Sequence, residues 1–73
     1  MMWKVKVESN GSSIRVYATN GICESICGEY VCKPNFIGRA LGHTLESNIA
    51  AAKRRIQKFC DEANNMMEIA NGN

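Results

Sequence analysis

The sequence predicts an α+β fold, in which an antiparallel meander of three to four strands packs on one long C-terminal amphipathic helix. Apolar and polar residues alternate with period two over residues 3–19, two Asn-Gly pairs can form tight turns, and from residue 44 onward apolar residues recur at spacings of three and four. With 73 residues, 45% apolar and 22% charged, the chain can form one small domain. We expect residues 1–41 to form the sheet and a Cys-rich loop, and residues 44–70 the helix.

The first two strands form a predicted hairpin. Every second residue of each strand is apolar: Trp3, Val5 and Val7, then Ile14, Val16 and Ala18. If Asn10-Gly11 forms a two-residue type I′ turn, apolar residues face apolar residues across the pair. The resulting pairs are Val7–Ile14, Val5–Val16 and Trp3–Ala18. Because a shift of one residue would scatter this set over both faces, the pattern and the turn support the same arrangement.

The other face of this hairpin carries basic and aromatic side chains. In the predicted register Lys6 lies opposite Arg15, and Lys4 lies opposite Tyr17. Like charges opposed across strands destabilise the pair unless nearby carboxylates or an anionic partner neutralise them. We therefore expect this face either to be solvated or to bind nucleic acid.

The pattern is weaker between residues 20 and 43. Asn20-Gly21 can turn the chain into an extended segment over residues 22–27, and a further extended segment covers residues 29–33. Gly38 is a candidate β-bulge. These two segments are the reason that the prediction allows three or four strands.

One amphipathic helix is predicted from Leu45 to Ala70, with Thr44 as its N-cap and the pair at residues 71–72 as its end. Its apolar stripe consists of Ile49, Ala52, Ile56, Phe59, Ala63, Met66 and Ala70. Such a helix would be about 39 Å long, whereas a six-residue strand spans about 20 Å. We therefore expect the helix to extend past the sheet.

The end of the predicted helix carries apolar residues that the sheet cannot reach. Either the last two turns of the helix fray, which its acidic C-terminal part favours in an isolated monomer, or Met66, Met67 and Ile69 contact the Cys-rich loop, a second copy of the chain, or a partner protein. A homodimer through the C-terminal half of the helix would bury added area, which so small a domain commonly needs.

The four cysteines are Cys23, Cys27, Cys32 and Cys60. Zinc modules usually supply ligands as knuckles with two-residue spacing, and these cysteines do not have that spacing. Cys60 falls on the apolar side of the predicted helix and is interpreted as a small core residue. We expect no metal or cofactor. The alternatives are a disulfide and a zinc site formed by the four thiolates, or by three thiolates and His43.

Catalysis and membrane insertion are not favoured by the sequence. His43 is the sole histidine, and Gly38–Gly42 has neither the lysine nor the glycine spacing of a phosphate-binding loop. Lys4 and Lys6 interrupt the apolar run that a signal peptide requires, and no window approaches the ~20 apolar residues of a membrane-spanning helix. We therefore expect a non-enzymatic, cytoplasmic protein with reduced cysteines.

Three weak resemblances bear on function. Residues 38–52, with Gly38, Gly42 and the alanines at 50–52, resemble the strand-to-helix junction of double-stranded RNA-binding domains, although Leu45 and Glu46 replace that family's phosphate-binding lysines. The order of elements is similar to the small DNA-binding arms of integrases, which implies a contact face formed by Lys4, Lys6, Arg15 and Tyr17. In size, the chain is similar to small phage and mobile-element proteins, including anti-CRISPR-type inhibitors.

The sequence therefore favours a small interaction module over an enzyme. Its partner is expected to be a protein, bound through Met66, Met67 and Ile69, because the net charge is only +2. The alternative is a nucleic-acid-binding module. Its predicted contact residues are Lys4, Lys6, Arg15, Tyr17, Arg54, Arg55 and Lys58.

Overall fold

A computed structural model describes residues 2–11, 13–22 and 24–70, with the side chains of residues 24–27 outside the description. The elements are β1 (Lys4–Asn10), β2 (Ser13–Thr19), β3 (Glu24–Val31), α1 (Phe36–Ala40) and α2 (Leu45–Ala70). The three strands form an antiparallel sheet in the order β1-β2-β3, and α2 packs against all three. The predicted α+β fold, a meander packed on one long C-terminal helix, is confirmed.

The turn of the β1–β2 hairpin is one residue later than predicted. Asn10 pairs with Ser13 as the last residue of β1, and the loop begins at Gly11. Gly11 has a φ of 65°, a left-handed conformation that glycine adopts without steric cost. The prediction that Asn10 and Gly11 are the two central turn residues is therefore wrong.

The later turn shifts the pairing by two residues and changes the charge pairs. Val7 now faces Val16, so apolar residues still face apolar residues, because an even shift leaves every side chain on its own face. Arg15 lies opposite Glu8, and not opposite Lys6 as predicted. The observed register therefore replaces a repulsive cross-strand pair with an attractive one.

The strand β3 covers part of both extended segments that the sequence predicts, since it is continuous from residue 24 to residue 31. Its pairing with β2 shifts between Tyr17 and Thr19, so the irregularity of the sheet lies there and not at Gly38. Gly38 instead lies inside α1, where its N–H donates to Oδ1 of the N-cap residue Asn35 at 2.8 Å. The prediction of a bulge at Gly38 is wrong, and the short helix α1 is not among the predicted elements.

The helix α2 has the predicted bounds, Leu45–Ala70, and its N-cap is Thr44. The hydroxyl of Thr44 accepts a hydrogen bond from the Ser47 N–H at 3.0 Å, and the Ser47 hydroxyl accepts one from the Thr44 N–H at 2.9 Å. This is a capping box in which serine replaces the usual acidic or amide residue. The predicted helix end at residues 71–72 lies outside the described residues.

The core lies between α2 and the facing side of the sheet. Its buried members are Val16, Ala18, Val31, Ala52, Ile56 and Cys60. The interpretation of Cys60 as a core residue is confirmed, since its exposed fraction is 0%. At the margin Trp3 packs edge-to-face on Phe59, with the ring centroids 5.8 Å apart. The sheet therefore uses one face for the core and leaves the other for contacts.

Candidate interaction surfaces

The position at which α2 leaves the sheet is set by Asn64. Its Oδ1 accepts a hydrogen bond from the Trp3 N–H at 2.7 Å, and its Nδ2 donates to the Trp3 carbonyl oxygen at 3.0 Å. One side-chain amide thus satisfies both backbone groups of the residue that precedes β1, as a neighbouring strand would. The clamp fixes the C-terminal part of α2 against the start of the sheet.

Beyond this clamp α2 carries an exposed apolar cluster. Met66 is 68% exposed and Ile69 is 65% exposed, while Met67 is half-buried. Met2 is also exposed and directly precedes the clamped residue Trp3, so it lies at the same end of the molecule. We call Met2, Met66, Met67 and Ile69 the methionine end. The alternative in which Met66 and Ile69 are buried against residues 23–33 is wrong.

A second apolar surface surrounds α1. Phe36, Ile37 and Leu41 are all largely exposed. In the described part of the chain α1 packs against no other helix or strand. Ile37 and Leu41 lie one helical turn apart, and Asn35 is a residue that commonly caps a helix. These two features together are the sequence signal that could have predicted α1.

The sheet face turned away from α2 carries the predicted basic and aromatic residues. Lys4 and Lys6 are exposed on β1. On β2 the guanidinium carbon of Arg15 lies 4.0 Å from the centroid of the Tyr17 ring. Tyr17 is only 2% exposed, and its hydroxyl donates to a Glu8 carboxylate oxygen at 3.2 Å. The Tyr17 ring therefore packs under the Arg15 guanidinium and is not accessible to a ligand.

The predicted cations of the helix lie on the other layer of the molecule. Arg54, Arg55 and Lys58 are exposed on α2, which covers the opposite face of the sheet. They therefore do not form one continuous surface with the basic residues of the hairpin. The seven residues predicted as a nucleic-acid face fall into two sets on opposite sides of the molecule.

Arg55 is also engaged within the chain. Its Nε and Nη2 donate to the two carboxylate oxygens of Glu29 at 2.7 and 2.6 Å. These hydrogen bonds are the main cause that lowers the pKa of Glu29 and raises the pKa of Arg55 from their ordinary values. This bidentate pair between Glu29 and Arg55 joins β3 to α2.

A groove of about 520 Å³ lies between β3 and α2 beside this ion pair. Cys32, His43 and Arg54 are among the residues that line it. Within the described residues no group of three or more His, Cys, Asp or Glu side chains is placed to hold a metal ion. The predicted alternative ligands Cys23 and Cys27 lie outside the described side chains.

Comparison of the chain with protein-family models, curated proteins and solved structures gave no match. Over residues 2–11, 13–22 and 24–70, no helix combines the length and the apolar character needed to cross a bilayer. Function is therefore inferred from three surfaces: the methionine end, the exposed residues of α1, and the groove between β3 and α2.

Proposed function

We propose that this chain is a cytoplasmic, non-enzymatic module that binds a protein partner through the methionine end, as a small inhibitor or adaptor does. The observation that supports it most directly is the exposure of Met66 and Ile69 on a helix that continues past its sheet. Exposed apolar clusters on small proteins commonly mark interaction sites. Methionine suits this role because its unbranched, polarisable side chain adapts to the shape of a partner.

The apolar stripe of α2 supports the same proposal. Phe59 and Ala63 belong to the stripe where the sheet lies opposite, and Met66 and Ala70 continue it at helical spacing beyond the clamp at Asn64. Helix faces of this kind bind in apolar grooves of partner proteins. The clamp holds this face of α2 in a fixed orientation, so that less conformational entropy is lost on binding.

The charges around the methionine end indicate the chemistry of the partner. On α2, Lys58 is the last basic residue, and the acidic residues Asp61, Glu62 and Glu68 follow it, while one exposed cation, Lys4, directly follows the clamped residue Trp3. A symmetric pair through this end would bring the acidic residues of both copies close together, which is unfavourable. We therefore favour a different protein, with basic residues around an apolar groove, over the homodimer that the sequence also predicts.

The size of the surface sets a further requirement. The methionine end has four side chains, whereas a stable interface buries about 800 Å² on each partner. The partner must therefore also contact the polar flank of α2. Because apolar contacts dominate, binding is expected to survive moderate salt, unlike binding to nucleic acid.

Affinity capture from the native host with matched baits tests the proposal. The wild-type chain should retain a partner that the Met66→Asp and Ile69→Asp variants lose, because each change places a charge in the apolar contact. Ile37→Asp is the control, since Ile37 is equally exposed on α1 (67% against 65% for Ile69). Equal capture by all four baits would contradict the proposal.

Sedimentation of the same proteins shows whether a second copy of the chain or a different protein binds the methionine end. A wild-type chain that is monomeric at all concentrations supports a different partner protein. A wild-type dimer that Met66→Asp converts to monomer would assign the surface to a second copy. Circular dichroism should show the same helix content in every variant, because the replaced side chains lie outside the core.

A further inference from the structure

The strand β3 forms a free edge of the sheet. It pairs with β2 on one side, and among the residues that the structure describes no other strand pairs with it. In an antiparallel sheet the backbone N–H and C=O groups of alternate residues point to opposite sides of a strand. Half of these groups along β3 therefore point away from β2, where a further strand could bind them.

The two edges of the sheet differ in how they are protected. The other edge strand, β1, carries the exposed residues Lys4 and Lys6, and lysines on an edge disfavour the addition of a strand. Over residues 28–31 of β3 the single charged residue is Glu29, and both of its carboxylate oxygens accept hydrogen bonds from Arg55. This part of β3 therefore lacks the charged side chains that protect β1.

The groove between β3 and α2 runs along this edge. Its volume is about 520 Å³; residues 29–32 line one side, and Ser47, Ala51 and Arg54 are among the residues on the other. These three residues of α2 follow each other at spacings of four and three, so they share one face of the helix. Residues 29–32 span about 10 Å and residues 47–55 about 12 Å, so the groove can accommodate about four residues of an extended peptide.

The charges along the groove favour an acidic group on that peptide. The groove is lined by residues between 29 and 55, all of which have described side chains. One of them is acidic, Glu29, and Arg55 neutralises it. Arg54 is exposed beside this pair, and within residues 28–70 no carboxylate forms an ion pair with it. His43 adds positive charge to the same groove when it is protonated.

We propose that this groove binds an extended acidic peptide segment of a partner protein, which adds to β3 as a fourth strand. Main-chain hydrogen bonds to the free edge provide affinity, and alternate side chains of the peptide point towards α2 and provide selectivity. The short side chain of Ala51 leaves room for one β-branched residue, and Arg54, one helical turn away, contacts an aspartate or glutamate two positions along the peptide.

A second copy of the chain is a less suitable occupant of the groove. Symmetric pairing of two β3 strands would bring both α2 helices to the same side of one continuous sheet. The two Arg54 side chains would then approach each other, and like charges repel, whereas an acidic peptide supplies the opposite charge. The groove is also separate from the methionine end, since Met66 lies about 17 Å further along α2 than Arg55.

Selection from a phage library of random eight-residue peptides, with the full chain as bait, provides the probe. Enriched peptides should share alternating β-branched residues and an acidic residue, and a labelled synthetic copy of one should bind in fluorescence anisotropy. Methylation of a peptide N–H that bonds to β3 should raise the Kd about tenfold. Methylation of the next N–H along the peptide, which points away from β3, should change the Kd little.

Matched substitutions on α2 test the other side of the groove. Ala51→Gln places a longer side chain in the groove and should raise the Kd about tenfold. Ala50→Gln, the same change at an exposed neighbour that does not line the groove, should leave the Kd unchanged. Arg54→Gln should weaken binding and reduce its dependence on salt, whereas Lys53→Gln, at the adjacent exposed cation, should do neither.

Three results would overturn the proposal. They are a library from which no peptide is enriched, equal effects of methylation at every peptide N–H, and binding that both Ala51→Gln and Arg54→Gln leave unchanged. A dimer of the free chain that Ala51→Gln converts to monomer would assign the groove to a second copy instead. Met66→Asp should bind the peptide as the wild type does, and loss of the peptide in that variant would place it on the methionine end.

Discussion

Replacement of Asn64 by alanine removes the clamp between α2 and the start of the sheet. Two hydrogen bonds to Trp3 are lost, at 2.7 and 3.0 Å, and both are partly buried. A hydrogen bond contributes about 0.5–1.5 kcal/mol net, and water can partly replace these two, so we expect a loss of about 1–2 kcal/mol in the free energy of unfolding. A chain of this length has roughly 4–11 kcal/mol in total, so the loss is substantial.

Two further variants separate the clamp from other effects of the substitution. Alanine favours helix more than asparagine does, so Asn65→Ala, at the exposed neighbouring residue, measures that gain alone. Asn64→Asp keeps the shape and the acceptor for the Trp3 N–H, but it sets a carboxylate oxygen against the Trp3 carbonyl. We expect Asn64→Asp to be at least as destabilising as Asn64→Ala at neutral pH.

Urea denaturation followed by tryptophan fluorescence is the suitable assay. Trp3 is the single tryptophan of the chain, and it packs on Phe59 beside the clamp, so its emission reports both global unfolding and local release. The melting temperature of Asn64→Ala should fall by about 5–15 °C. If Asn64→Ala and Asn65→Ala unfold at the same urea concentration, the clamp does not stabilise the fold and the reasoning is refuted.

Two other substitutions test the hairpin turn and the ion pair. Gly11→Val should destabilise the fold by roughly 1–3 kcal/mol, because a β-branched residue resists the φ of 65° at that position, whereas Gly11→Asn should be tolerated better; unchanged thermal stability would contradict the turn. Glu29→Gln should be less stable than the wild type at neutral pH. Because the pKa of Glu29 is lowered in the fold, its stabilisation is present above the pKa of an unfolded glutamate and is lost as the pH falls through the folded value. The difference between the two proteins should therefore shrink as the pH falls below the ordinary pKa of a glutamate, and a difference that stays constant with pH in urea titrations would contradict the pairing.

The strands of the hairpin and the bounds of α2 could be predicted because their signals are local. Period-two alternation, a capping threonine and helical spacing each need only a few neighbouring residues. The register could not be settled in this way, since an even shift leaves the apolar pattern intact. The pairing of Glu8 with Arg15 distinguishes the two arrangements, and so does Asn10, which lacks the positive φ that a type I′ turn at Asn10-Gly11 requires.

The path of residues 20–43 could not be predicted because nonlocal contacts determine it. The strand β3 is defined by its pairing with β2 through a shifted register, which hides the alternation along the strand. α1 presents apolar residues to the outside, so its pattern gives no buried face to recognise. The Glu29–Arg55 pair joins residues 26 positions apart, and nothing in the local sequence marks it.

The candidate surfaces were accessible to sequence reasoning to different degrees. Comparing the length of the helix with that of a strand indicates that Met66 and Ile69 extend past the sheet, and both are exposed. The basic residues of hairpin and helix could be found from composition, but their division between two layers follows only from how α2 packs.

The proposed surfaces can be altered without loss of the fold because of how each element is stabilised. The hydrogen bonds of a helix lie within its own segment, so α2 can remain helical beyond Asn64 where no strand accompanies it. A strand depends on its neighbours, and the sheet therefore ends where its pairing ends. The helix is accordingly the element that can carry apolar side chains away from so small a core. Substitutions at Met66 or Ile69 should thus change binding while Val16 and Ile56 keep the core intact.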